Sequence, residues 1–303
     1  MSLDELIARS AGRVEEHAAF GARTTYRVGG TVRALVTLAS NDDLDEIGPS
    51  MIDSGLSLVV LGNGSNLLVA DGEHNVIGVR LVGAFLELDW RDEGQVVIVD
   101  AGAGLDLPVA ARRLASAGVV GFEWAVGVPG TFGGAAVMNA GGHGSDMAAC
   151  TRSVNVWRDA QRRTWSNEEL AFGYRTSALT SGALVLGVTL RLAHGDAEGA
   201  AQQVREVVRW RREHQPGGAN AGSAFRNPEG DFAGRLIEAA GCKGLRVGTA
   251  HVSQKHANFL IADVDGSAND VYALLRVVQQ RVLETSGVAL RSEHRFLGFD
   301  ETP

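Results

Sequence analysis

Hydrophobic positions along the first two-thirds of the chain fall in short runs broken by glycine. Residues 57–61 are an apolar run ending at Gly62, which predicts a buried strand entering a tight turn. Runs rich in β-branched residues at 76–81 and 96–100 predict two more strands. A helix is predicted over 107–117, with Asp106 as its cap, Pro108 in its first turn and Gly118 at its end. Stretches 153–157 and 183–192 alternate, which predicts strands at a sheet edge or with one face half-buried.

After 194–199, a polar and small segment, the period changes. A long helical pattern covers 200–213, and further helices are predicted at 232–240, ended by Gly241, and at 268–285. In the last, Val271, Leu274, Leu275, Val278 and Val282 share one face, and Ser267 with Asp270 forms a capping-box pattern. Strands are expected near 245–253 and 258–263. The final strand, 288–299, would point Glu293 and Arg295 to one face. The pattern is α+β, with its boundary near 195: a first domain over 1–195, in two lobes of about 1–80 and 81–195, and a second over 196–303.

Composition narrows the function. A net charge of −8 lacks the basic face that nucleic-acid binding requires. The N-terminus carries acids and arginines where a signal peptide needs an apolar core, and no apolar run reaches a membrane span, so a cytoplasmic protein is expected. Cys150 and Cys242 have no disulfide or zinc spacing and read as buried thiols, and the histidines form no ligand pair, so no metal is expected.

Glycine is the unusual residue, 39 in number and clustered in loops. Gly62-Asn63-Gly64-Ser65-Asn66 follows a strand and could bring backbone N–H groups close to an anion. It lacks the third glycine of a Rossmann fingerprint, and Leu67 onward reads as strand and not helix; no P-loop occurs either. A second loop, 127–135, leads into a predicted helix start. Either loop alone reads as a tight turn, but the pair suggests a dinucleotide cradle.

GNGSNLLV (62–69), GVPGTFGGAAVMNAGG (127–142), YRTS (174–177), GSAFRNP (222–228) and EHRFLG (293–298) stand in the order found in the UDP-N-acetylenolpyruvoylglucosamine reductase family. The resemblance extends through TTYRVGG (24–30), AGRLIEAAGCKG (233–244) and SQKHANFLI (253–261), over nearly the whole chain, and is to the family's second type. It implies a two-lobed FAD-binding unit of the para-cresol-methylhydroxylase and vanillyl-alcohol-oxidase type, followed by an α+β substrate-binding domain. It also implies NADPH as reductant and UDP-N-acetylglucosamine enolpyruvyl ether as substrate, in a monomer with no nucleic-acid or membrane partner.

By the same resemblance, Arg175 matches the family's catalytic arginine, Ser223 its proton donor and Glu293 its third catalytic residue. FAD would be held by Gly62, Asn63, Gly64, Ser65, Asn66, Leu67, Val128, Pro129, Gly130, Gly133, Gly134 and Asn139. Substrate would meet Tyr174, Arg226, Asn227, His256 and Asn258. The chain departs from the family pattern at Gly142 and His143, where the tyrosine of NAGAYG is missing; that loss could loosen a flavin contact, and His143 raises covalent flavin attachment as an alternative. The competing readings are an FAD-dependent sugar or alcohol oxidase of the same fold, and a non-catalytic flavin- or nucleotide-sugar-binding relative.

Overall fold

The computed structural model describes residues 7, 10, 12–179 and 182–300; most of the charged N-terminal stretch read for a signal peptide lies outside them. The chain divides into two units. The first holds Ala34–Asn63 and Asn75–Arg211, and the second holds His17–Arg33, Gly64–His74 and Arg212–Pro303. The division falls at Arg211, within the helix Ala197–His214, and not near residue 195. Gly64–His74 counts with the second unit because Leu67–Val69 pairs in parallel with Arg295–Leu297, and His17–Arg33 because Tyr26 and Val28 lie in that unit's core.

The first unit is built on an antiparallel sheet in the order Gln161–Ser166, Thr151–Arg158, Leu184–His194, Val96–Gly102, Leu88–Glu93. Leu184–His194 was expected at an edge or with one face half-buried; it is central, with partners on both sides. From Leu186 onward burial alternates as expected, with Val188, Leu190 and Leu192 buried, Gly187 and Thr189 half-buried and Arg191 exposed; only its start, Leu184 to Leu186, is buried on both faces. Ser57–Val60 pairs in parallel with Glu73–Leu81 in a separate sheet.

The helix Asn41–Asp53 was not predicted, although its start is a complete capping box. Ser40 Oγ accepts from the Asp43 N–H, and Asp43 accepts from the Ser40 N–H. Such a cap stabilises by about 1 kcal/mol. Pro49 inside the helix conceals this signal. The helix Leu107–Ser116 forms as expected, but Asp106 does not cap it: its carboxylate accepts from Asn63 Nδ2 at 2.6 Å.

In the second unit a three-stranded antiparallel sheet, Arg246–Val247, Ala250–Val252 and Leu260–Ala262, packs on the helix Ala268–Ser286. Val271, Leu274, Leu275, Val278 and Val282 are all buried, as their spacing predicts. Half of the expected capping box is present. Ser267 Oγ accepts from the Asp270 N–H, while the Asp270 carboxylate takes the N–H and hydroxyl of Thr249. The expected strand over 288–299 shortens to Arg295–Leu297, so Glu293 lies before it and does not alternate with Arg295 within it.

Both cysteines are free and buried, and burial pushes the Cys150 thiol up to about 12. Among the described residues no helix is long and apolar enough to cross a membrane.

Candidate active site

The strand Ser57–Val60 delivers the chain to Gly62, whose missing side chain matters. A Cβ there would stand 2.5 Å from Thr131 Oγ1, so the two glycine loops meet at Gly62 and Thr131 within the first unit. The Leu107 N–H to Gly130 carbonyl bond (2.9 Å) and the Phe132 N–H to Leu105 carbonyl bond (3.0 Å) fasten the second loop to the chain entering the helix Leu107–Ser116. Asn63 reaches the same helix start through Asp106.

The loops differ in what they leave available. The N–H groups of Gly130, Phe132 and Gly133 go to the carbonyls of Val128, Leu105 and Ala103, so most donors expected of the second loop are engaged inside the fold. Gly134 is exposed and its N–H finds no acceptor among the described residues. Along the first loop, the N–H groups of Gly62, Asn63, Gly64, Ser65 and Asn66 likewise find none. Unclaimed donors on a glycine turn suit a diphosphate. Val128 is half-buried and Pro129 exposed on the loop's approach; Leu67, half-buried, begins the strand after the first loop.

Asn139, predicted to touch the cofactor, is buried at the end of the helix Phe132–Met138 in the left-handed conformation, φ 41°. Its Nδ2 donates to the Gly173 carbonyl at 3.0 Å, and its Oδ1 accepts from the Ala148 N–H at 2.9 Å. Gly173 opens the turn that carries Tyr174 and Arg175 and closes by a bridge to Thr176. Ser177 Oγ ties the same turn to the Val137 carbonyl at 2.9 Å. Arg175 has φ 57°, and its Nη1 donates to the Gly141 carbonyl at 3.2 Å. The exposed Tyr174 ring lies 5.7 Å below the Arg175 guanidinium.

Ser223 and Glu293 come together in the second unit. Ser223 follows Gly222, whose φ of 79° needs glycine, and precedes Ala224, whose carbonyl accepts from the Glu293 N–H at 2.9 Å and from Ser292 Oγ at 3.1 Å. Asn66 holds the far side of Glu293: its Nδ2 donates to the Glu293 carbonyl at 3.0 Å, and its own carbonyl accepts from the Arg295 N–H at 2.8 Å. Arg226 continues the Ser223 segment, its N–H on the Arg291 carbonyl at 2.9 Å.

The remaining predicted substrate residues are occupied within the second unit. Asn227 Oδ1 accepts from the Ala233 N–H at 3.0 Å and so satisfies a donor at the start of the helix Ala233–Ala239. His256 Nδ1 accepts from the Asn258 N–H at 3.2 Å, and burial holds this histidine below its usual range. Asn258 is itself buried.

The C-terminal domain model of UDP-N-acetylenolpyruvoylglucosamine reductase matches residues 214–297, and an FAD binding domain model matches residues 32–164. The reductase of Synechococcus sp. (strain WH7803) is 44% identical over 92% of this chain and 91% of its own length. That of Paramagnetospirillum magneticum is 40% identical over 97% and 95%. The chain belongs to the UDP-N-acetylenolpyruvoylglucosamine reductase family. The crystal structure of the family's enzyme from Thermus caldophilus superposes with a TM-score of 0.81 at 37% identity, covering 94% of this chain and 99% of that one.

Within this family frame the two departures have a physical setting. A Cβ at Gly142, where the family pattern has alanine, would meet nothing within 4 Å, and His143 stands in the place of the missing tyrosine. His143 presents its ring edge-on to Trp210, 5.1 Å between centroids, and burial, helped by Arg211, lowers its proton affinity. Thr131, Ser177 and Ser292 were overlooked in the sequence. Thr131 and Ser177 lie inside recognised motifs and Ser292 just before one, but neither a hydroxyl bonded to a distant carbonyl, as in Ser177 and Ser292, nor one packed against a distant glycine, as in Thr131, has a periodicity to reveal it.

Proposed function

We propose that this chain reduces UDP-N-acetylglucosamine enolpyruvyl ether to UDP-N-acetylmuramate, with FAD as hydride carrier and NADPH as reductant, in peptidoglycan precursor synthesis. The reading rests on its family and, within the fold, on one junction: the Ala224 carbonyl joins the backbone beside Ser223 to that of Glu293 at 2.9 Å. The unclaimed N–H groups of Gly62 and Asn63, with that of Gly134, suit the FAD diphosphate.

FAD, when bound and reduced by NADPH, would supply a hydride to the substrate's methylene carbon. The neighbouring carbon then carries negative charge beside the substrate carboxylate, and the protein must stabilise it and deliver one proton. Arg175 holds that carboxylate with its guanidinium fork and spreads the developing charge. Ser223 gives its hydroxyl proton to the carbanionic carbon and is reprotonated afterwards. An ordinary serine suffices because the acceptor is strongly basic. Glu293 donates a hydrogen bond to the enolate-like oxygen while protonated. Tyr174, Arg226, Asn227 and His256 frame the nucleotide sugar, with Arg226 suited to its diphosphate. The enzyme acts as a cytoplasmic monomer.

The test is anaerobic. NADPH should bleach the yellow protein, and the enolpyruvyl ether should restore its colour with formation of the lactyl ether, read by mass. Recolouring that requires oxygen and a sugar alcohol as reductant would overturn the assignment in favour of an oxidase.

A further inference from the structure

We infer that Asn258 is a positioning residue for Ser223, fixing the hydroxyl's place by completing the hydrogen bonding of the two residues that follow it. The inference rests on Ser223 as the proton donor. Asn258 is 4% exposed, and both ends of its carboxamide face the backbone of Phe225: Oδ1 accepts from the Phe225 N–H at 3.0 Å and Nδ2 donates to the Phe225 carbonyl at 2.8 Å. The Asn258 carbonyl accepts from the Ala224 N–H at 2.8 Å. On the other side the Ala224 carbonyl receives the Glu293 N–H and Ser292 Oγ.

Every backbone donor and acceptor of Ala224 and Phe225 is thereby satisfied, three of the four by Asn258 alone. This side chain imitates a neighbouring strand where no strand runs. Ser223 stands between that clamped pair and Gly222, a left-handed glycine whose N–H is held by Asn220 Oδ1 at 3.1 Å. A serine has one side-chain torsion before its hydroxyl, so the backbone on either side decides where the proton is offered. Displacement by about 1 Å costs on the order of 100-fold in a proton transfer that depends on alignment. Asn258 was expected to contact substrate; with both carboxamide atoms engaged and the residue buried, its task is to hold the loop.

The experiment separates the half-reactions of the FAD-loaded enzyme by stopped-flow. Asn258→Ala should leave flavin reduction by NADPH unchanged and slow reoxidation by the enolpyruvyl ether by about 10- to 100-fold. In a Ser223→Ala background the same substitution should slow reoxidation no further, because both act through one hydroxyl. The same slowing factor in both backgrounds, or equal loss in both half-reactions, would overturn the inference. If Asn258→Ala does not retain FAD, Asn258→Asp replaces it. That variant keeps the acceptor for the Phe225 N–H, and its reoxidation rate should recover as falling pH protonates the carboxyl and restores a donor to the Phe225 carbonyl. Failure of both variants to retain flavin would also overturn it, leaving Asn258 a purely structural role. A Ser223→Ala enzyme that reoxidises at the normal rate fails differently: it removes Ser223 from the chemistry whatever Asn258 does.

Discussion

The turn that carries Arg175 and the loop that carries Ser223 are both held by a buried asparagine, and they are held differently. Asn139 grips the Arg175 turn at its base, through one bond to the Gly173 carbonyl. Beyond that point the chain rises to an exposed Tyr174 and an arginine in the left-handed region, which costs a non-glycine residue about 1–2 kcal/mol. Asn258 grips the Ser223 loop along its backbone, two residues deep. A guanidinium reaches its partner through a long side chain and tolerates a turn anchored at one end. A hydroxyl that must offer a proton to one carbon cannot, and the backbone on both sides of it is held.

The comparison breaks most severely if Ser223 proves dispensable. Ser223→Ala should slow the substrate half-reaction by about 100- to 10,000-fold, the range for losing a positioned acid, while NADPH bleaches the flavin at the normal rate. Anaerobic stopped-flow of the two halves decides it, and an equal loss in both would point to damaged flavin binding.

Arg175→Lys tests the looser anchor. Lysine keeps the charge but loses the planar fork and the rigid reach to the Gly141 carbonyl, so kcat should fall by about 10- to 100-fold. Steady-state kinetics at saturating NADPH reads the effect. A lysine enzyme with full activity would reduce the arginine to a point charge.

Acidity should distinguish the second region by its stability. His294, next to Glu293, is buried against the edge of the Tyr26 ring, and burial pushes its pKa down to about 4. Its folded value lies below its unfolded one, so below pH 6.5 the unfolded chain binds a proton that the folded chain refuses. Stability therefore rises with pH across this window and is lost as pH falls from about 6.5 toward 4, by up to about 3 kcal/mol. Replacing His294 with Phe should flatten the slope of Tm against pH between those values. An unchanged slope would mean that other groups drive the acid transition.

The elements were largely legible in the sequence because burial has a period. The apolar face of Ala268–Ser286 and the runs that became Ser57–Val60 and Val96–Gly102 stand where spacing puts them. Leu88–Glu93 and Gln161–Ser166 escaped notice because they are polar and mostly exposed, with too few buried positions to set a period. The site was legible as motifs but not as duties. Asn66, Asn139 and Asn258 were read as ligand contacts, yet their amides bond the chain itself, over separations of up to 227 residues in the case of Asn66 and Glu293. No local pattern distinguishes an asparagine that meets a ligand from one that replaces a strand.

The smallest effect separates the two contributions of Asn139. Its φ of 41° is a conformation that asparagine tolerates better than most residues and glycine tolerates freely, while its carboxamide holds Gly173 and Ala148. Asn139→Ala should lose both and destabilise by about 2 kcal/mol; Asn139→Gly should recover the backbone share, about 1 kcal/mol, and leave the amide share lost. Denaturant midpoints measure the pair. If the turn is anchored chiefly through Asn139, kcat should fall alike in both variants, because only the amide reaches Gly173. Recovery of kcat in the glycine variant would instead make Ser177 and the Arg175 contact with Gly141 sufficient to hold the turn.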